Sequence, residues 1–477
     1  MAPRGPQNLY RRGVGRSLVA LLALAACGDD LHYGYAGLLP VSGDSPYASN
    51  CNGAMQDGTA YRNAEVEPWL AIDPTDPSHQ LAVWQQDRWD NGGANGNAGA
   101  VSFDGGVSWS WHAPAFSECA GGDYQRSSDP WVSIGPDGTA YAVAIAFDET
   151  TARSTVLASS SGDGVGWSDP ALLIDDANDP DIFNDKESVT ADPGQPGRAY
   201  AVWDRLTGLT QPTKPVGTGP TMLARATDGA WQPARAIYDP GVDAQTIGNV
   251  IVVMPDGTLV DAFDELAMTS TDDPPTTVSV ITSSDHGDTW SPPVRIAPVM
   301  AVGVADPKHQ LEVRSGDSLP QVAVDPTSGA LYVAWEDARF ATGARHDGVV
   351  IARSSDGGAT WSQPVPVNGR LDQQAWEPTV AVAADGTVGV LYYDDRDDNP
   401  DDPTTFKATA WLATSHDGGQ TWQDQALSSP FDLAPARIGD EYFLGDYQGL
   451  VGRDSDFTAL FAVAFLNNDP TDIFVRP

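Results

Sequence analysis

Cysteine is scarce: three in 477 residues. Two of them, Cys51 and Cys119, have no neighbouring His at ligand spacing, which excludes a zinc centre. Basic residues are also few, 26 against 65 acidic, for a net charge of −39. A polyanion of this size is a poor partner for phosphate backbones or anionic lipid surfaces, so no nucleic acid is expected among its partners. Beyond the N-terminus no segment reaches 18 consecutive apolar residues, so no membrane-spanning helix is expected. The seven His show no His-x-x-x-His spacing, and there is no Gly-x-Ser-x-Gly elbow, Walker loop or dinucleotide fingerprint. Glutamate is rare too: 10 against 55 Asp. Asp favours turns and caps over helix interiors, and 48 Gly with 37 Pro reinforce the reading of a turn-rich, all-β chain.

The first residues read as an address. Arg4, Arg11, Arg12 and Arg16 precede a short apolar run, Ser17 to Ala26, ending in Leu24-Ala25-Ala26-Cys27. Small residues before a Cys resemble the lipobox of bacterial lipoproteins. The resemblance implies lipidation of Cys27, a place in the cell envelope, and membrane contact through the lipid anchor only. The other reading is a secretory leader cleaved at Ala-x-Ala. Either compartment permits a disulfide between Cys51 and Cys119, with two buried free thiols as the alternative.

An octapeptide, Ser-x-Asp-x-Gly-x-(Thr/Ser)-Trp, recurs at Ser102–Trp109, Ser283–Trp290, Ser354–Trp361 and Ser415–Trp422, with degraded copies at Ser160–Trp167 and Thr227–Trp231. Asp can accept turn amides, Gly supplies positive φ, and Trp buries its ring against a neighbouring sheet. This resembles the Asp-box (BNR) repeat of sialidase-superfamily β-propellers, and Asp104, Asp285, Asp356 and Asp417 read as turn residues rather than chemistry. Around each box lie two strand patterns joined by turns such as Asp137-Gly138, Asp256-Gly257 and Asp385-Gly386. First strands start near Glu67, Asp129, Glu187, Gly248, Pro320, Glu377 and Asp446, spaced by 57 to 72 residues. The period is that of a four-stranded propeller blade with long loops. Seven starts predict seven blades, with six, the count of sialidases, as the alternative. The last unit has room for three strands, so an N-terminal strand from residues 35 to 60 should close the ring. The expected division is a leader at 1–26, a tether with the closing strand at 27–60, and the propeller at 61–477.

In such a blade the boxes lie on one face, and the starts of first strands and ends of second strands lie on the other. There the sequence places Glu67, Asp129, Glu187 and Glu377, then Asp87-Arg88, Asp204-Arg205, Asp337-Ala338-Arg339 and Asp394-Asp395-Arg396, with Asp446-Tyr447 from the last unit. Repeated Asp–Arg pairs serve either to join blades or to meet a ligand in the funnel. The sialidase resemblance implies roles for some of these: Tyr447 as nucleophile, Glu377 as its activator, Asp90 as general acid, with Arg88 and Arg396 in the rim. Glu67, Glu187, Arg205, Arg339 and Asp446 complete the candidate ligand-binding set. The chain departs from the family where sialidases carry their first clamp arginine, reading Val66-Glu67-Pro68, and where a second Arg-x-Pro would stand, reading Ser318-Leu319-Pro320. A Glu there would repel a substrate carboxylate. The sequence therefore predicts a monomeric propeller that binds a glycan or a surface protein at this rim, with a sialidase-type glycoside hydrolase as the alternative. No cofactor is implied. Acidic loops at Asp175–Asp185 and Asp394–Asp402 leave room for Ca²⁺.

Overall fold

The computed structural model describes residues 37–477 apart from 54–55, 152, 177–178, 208–217, 268–274, 317–318 and 466–469. The leader and Cys27 lie outside the described residues. Apart from two 3-10 turns, Glu118–Ala120 and Ala434–Ala436, the regular structure of the described residues is all strand.

The strands form successive antiparallel meanders, and seven are present among the described residues. Their innermost strands are Glu65–Ile72, Arg126–Ile134, Ile182–Ala191, Ala244–Val253, Gln321–Val324, Ala375–Val382 and Gly449–Arg453. The first two meanders are joined through one strand pair, Ala94 with Ser127. In the seventh, Asp456–Ala464 and Thr471–Arg476 follow the inner strand, and the outer strand is Leu39–Pro40, which pairs antiparallel with Val475 and Phe474. The N-terminal segment thus covers an edge that would otherwise expose unpaired backbone.

Second strands such as Leu331–Asp337 and Val388–Asp394 are buried along their whole length, because a sheet stacks on each face. Trp84, Trp203 and Trp335 sit on these strands and are fully buried. The four boxes share one geometry. In the box from Ser354 to Trp361, Ser354 Oγ donates to Asp356 Oδ1 at 2.9 Å, and the Thr360 amide and hydroxyl donate to the same carboxylate at 2.9 and 2.6 Å. The Trp361 indole N–H donates to the Gly358 carbonyl at 3.1 Å while its ring packs on the core. Each box carboxylate is consumed by its own turn.

At the opposite edge, five inner strands break register at the same place: Val66/Trp69, Ser128/Trp131, Asp185/Ser188, Ile247/Val250 and Trp376/Thr379. The first residue inside each bulge is left-handed: Glu67 (φ 54°), Asp129 (51°), Lys186 (49°), Gly248 (72°) and Glu377 (55°). Proline follows in three of them, where the ladder needs no N–H. Left-handed Glu, Asp and Lys store strain that the surrounding structure must hold. The bulge of the third meander turns on Lys186, one residue before Glu187.

Two connectors add a small sheet on this same face. Val304–Ala305 and Glu312–Arg314 come from the link between the fourth and fifth meanders, and Arg437–Ile438 and Glu441–Phe443 from the link before the seventh. Glu312–Arg314 runs parallel to Glu441–Phe443.

Cys51 and Cys119 form a disulfide, with Cα atoms 4.9 Å apart, tying the N-terminal segment to the first meander's outer loop. Replacing both by serine is expected to lower stability by roughly 2–4 kcal/mol. Urea unfolding of the two forms measures this, and coincident midpoints would show that the bond holds nothing.

Candidate functional site

The bulged corners converge on one cation. Lys186 Nζ lies 2.6 Å from Asp446, 2.7 Å from Asp129 and 3.4 Å from Glu67, side chains supplied by three other meanders or their connectors. Arg314, from the small sheet, grips Asp446 with two nitrogens at 3.0 and 2.6 Å and lies over the Phe443 ring. Gln85 donates to Glu67 and accepts from Arg88 at 2.9 Å. A flat guanidinium meets a carboxylate in two bonds, whereas the compact ammonium can sit among three carboxylates at once.

Burial sets the protonation states. Desolvation, with the Asp129 charge second, pushes the Glu67 carboxyl up to about 8. Asp446 suffers the same desolvation, but Arg314 and Lys186 overcome it and hold its carboxyl well below the usual range. Desolvation works against Lys186 as well, yet Asp129 and Asp446 raise its pKa well above that of a free lysine. Burial raises Asp185 to about 6.

Over this floor opens a cavity of about 480 Å³, bounded by Arg88, Asp129, Arg153, Asp185, Lys186 and Arg314. Phe147 and Phe183 meet edge to face at 5.7 Å in its wall. The cavity lies on the face opposite the boxes, because strand starts and box turns occupy opposite ends of antiparallel strands.

A family model described as a BNR repeat-like domain matches residues 221–430, a stretch that holds three of the four complete boxes. The recurring boxes and this match agree on a BNR-type repeat over residues 221–430. Its sequence matches no curated protein. Among solved structures it is similar to the Hadza microbial sialidase Hz136 (18% identity, 83% of this chain and 74% of that one, TM-score 0.47). It is also similar to a protein of unknown function from Dyadobacter fermentans (15% identity, 89% and 97%, TM-score 0.49). A third is an α-L-arabinanase from Penicillium chrysogenum (12% identity, 92% and 98%, TM-score 0.47). Identities and superpositions at this level carry no argument about what the propeller binds.

The structure separates the residues that the sequence groups together. Glu67, Arg88 and Asp446 meet at the funnel floor. Tyr447 does not present its hydroxyl there: it is buried, packs against Trp131 and Trp69, and donates to the Pro130 carbonyl at 3.2 Å. Glu377 is buried, and its amide donates to Glu336 at 2.7 Å. Desolvation raises both the Tyr447 hydroxyl and the Glu377 carboxyl well above their ordinary values, keeping them protonated. Glu187 is buried one residue past the corner, beside Tyr447 and Trp131 rather than at the cavity. Asp90 accepts the Thr59 amide at 2.8 Å and so anchors the N-terminal segment. Of the repeated Asp–Arg pairs, Arg339 clasps Asp337, and Arg396 clasps Asp394 and Asp424 while stacking on Trp411. Arg205 pairs with Asp176 instead. These arginines join strands to loops. In the two acidic loops, Asp176 is held by Arg205, Asp398 by Lys308 at 2.7 Å, and Asp402 by Thr404. Among the described residues, no group of three or more His, Cys, Asp or Glu is placed to hold a metal ion.

Sequence reasoning passed over Lys186, Arg314, Gln85 and Phe183. Two signals were available. Lys186 is one of only four lysines, set beside an acidic run. Arg314 lies in the longest interval between strand starts, where an insertion had to go somewhere.

Lys186→Met should destabilise the fold by about 3–5 kcal/mol, because it leaves buried carboxylates without their counter-ion; an unchanged denaturation midpoint would remove the cation from its central place. Glu67 gives a second expectation. Its folded pKa, near 8, exceeds its ordinary 4.5, so stability should fall as pH rises between those values. Glu67→Gln should flatten that slope, while the acid loss caused by protonating Asp446 persists. Melting temperatures from pH 4 to 9 provide the measurement, and identical profiles would show that Glu67 does not titrate there.

Proposed function

We propose that the chain closes as a seven-bladed ring, is carried at the cell envelope through Cys27, and binds a glycan in the funnel above Lys186. The observation that carries this reading is the funnel floor itself. Lys186 and Arg314 are paired with Asp129, Asp446 and Glu67, and the wall combines guanidinium and carboxylate edges with two phenylalanine rings. Sugar hydroxyls pair with such edges, and sugar C–H faces lie on such rings. Glu67 stands where a clamp arginine would be needed for a sialic acid carboxylate, and offers no positive charge to an anionic terminal sugar. The Tyr447 hydroxyl, turned to Pro130, speaks for binding rather than a tyrosine nucleophile. The leader and the Cys51–Cys119 disulfide support an extracytoplasmic location. A protein partner at the same rim is an outcome that the test below separates.

One observation favours a glycoside hydrolase as second reading. Glu67 is held protonated near neutrality beside an ionised Asp446, and carboxyls with pKa values pushed apart are the acid and base pattern of glycosidases.

The chain from Gly28, which keeps every described residue, should bind members of an array of immobilised glycans. It should release nothing from a panel of fluorogenic glycosides that includes a sialoside. Tyr447→Phe should leave binding within about twofold, since its hydroxyl faces the protein. Turnover abolished by Glu67→Gln would establish the hydrolase reading; turnover abolished by Tyr447→Phe would restore the tyrosine nucleophile. No glycan bound and none cleaved would favour a protein partner.

A further inference from the structure

The funnel cavity has neighbours. A second cavity, about 320 Å³, shares Asp185, Lys186 and Arg314 with the first and adds Asp446, Leu266 and Leu319. A third, about 690 Å³, shares Gly303 and Glu312 with the second and reaches Arg345, His346 and Asp372. The three adjoin in a row across the face opposite the boxes. They run from the second meander, past the Lys186 cluster, to the fifth and sixth. The spine of the row is the connector that forms half of the small sheet. Its residues from Gly303 to Arg314 contribute to all three cavities.

We propose that this row is one open groove that takes several consecutive sugars of a neutral linear glycan, rather than a pocket for a single terminal sugar. The proposal rests on the glycan reading above. Three arguments carry it. The first is size: each cavity is within the ~300–1,000 Å³ that encloses one small ligand, so a single sugar would leave most of the row empty. The second is charge, which is not uniform but largely paired internally: Lys186 meets Asp129 and Asp446, Arg314 meets Asp446, and Arg153 meets Asp148, while Arg88 bonds to Gln85. Glu149 and Asp372 are paired with Arg126 and Arg370, Asp179 and Glu312 add negative charge, and Arg345 adds positive charge at the far end. A polyanionic chain finds no continuous run of free cations here, and a neutral hydroxyl-rich chain needs none. The third is that apolar contact surface exists at both ends. Phe147 and Phe183 stand at one, and Val302, 57% exposed, stands at the other. A ligand confined to the Lys186 cavity has no use for the far end.

Calorimetric titration of the chain from Gly28 with ladders of arabino-, xylo-, manno- and gluco-oligosaccharides, from one sugar to eight, tests this. In a ladder that binds, affinity should climb by about tenfold or more from the disaccharide to the hexasaccharide and then level off. Arg345→Ala, an exposed change at the far end, should remove most of that climb and leave disaccharide affinity within about twofold. Equal affinity at every length, or equal losses at both lengths in the variant, would overturn the groove while leaving glycan binding intact. Binding of no ladder would overturn the groove and the glycan reading together.

Discussion

The contact on which this structure depends is the ammonium of Lys186 among the carboxylates of Asp129, Asp446 and Glu67. The bulged starts of several inner strands bring residues of different meanders to one place. In this chain several of those residues are acids, and acids forced together in a buried funnel repel and desolvate each other. The ammonium removes part of that cost, Arg314 removes more at Asp446, and Glu67 escapes the remainder by keeping its proton. The left-handed corners are the price in backbone strain for aiming these groups inward. Meanders distant in sequence are thereby joined by charge at the point where strand pairing cannot join them.

The same arrangement differs from the floor that the family resemblance implies. A sialidase floor presents unpaired guanidiniums to a carboxylate ligand. Here Arg205, Arg339 and Arg396 are held by Asp176, Asp337, Asp394 and Asp424, Arg88 donates to Gln85, and the floor's acids surround its own lysine. That pairing is the basis of the proposed preference for a ligand rich in hydroxyls. The Tyr447 ring packs against the stacked pair of Trp69 and Trp131, and its hydroxyl is turned to Pro130 rather than to the cavity.

Much of the architecture was legible in the chain. The boxes marked one face because their Asp, Gly and Trp are each required by a local turn, and local requirements leave local patterns. The intervals between strand starts carried more than the period. The two longest, before Pro320 and before Asp446, are those whose surplus residues pair as the small sheet that brings Arg314 and Phe443 to the funnel. The rim acids were also legible, since Glu67, Asp129 and Glu377 each stand before a proline at a bulge. The corner of the third meander was displaced by one residue, from Glu187 to Lys186, because no proline follows it and the bulge position is set by pairing rather than by residue type.

The sequence by itself therefore determined the meanders, their turns, the face bearing the boxes and the acidic character of the opposite rim, all of which follow from interactions between residues close in the chain. Only the tertiary structure decided which charges are neutralised. Lys186 and Asp446 are 260 positions apart, and Arg314 and Asp446 132. Nothing local to any of them records that the fold brings them within hydrogen-bonding distance. The partner of a buried charge is chosen by how the meanders pack and not by the strand, because the residues that meet lie far apart in the chain.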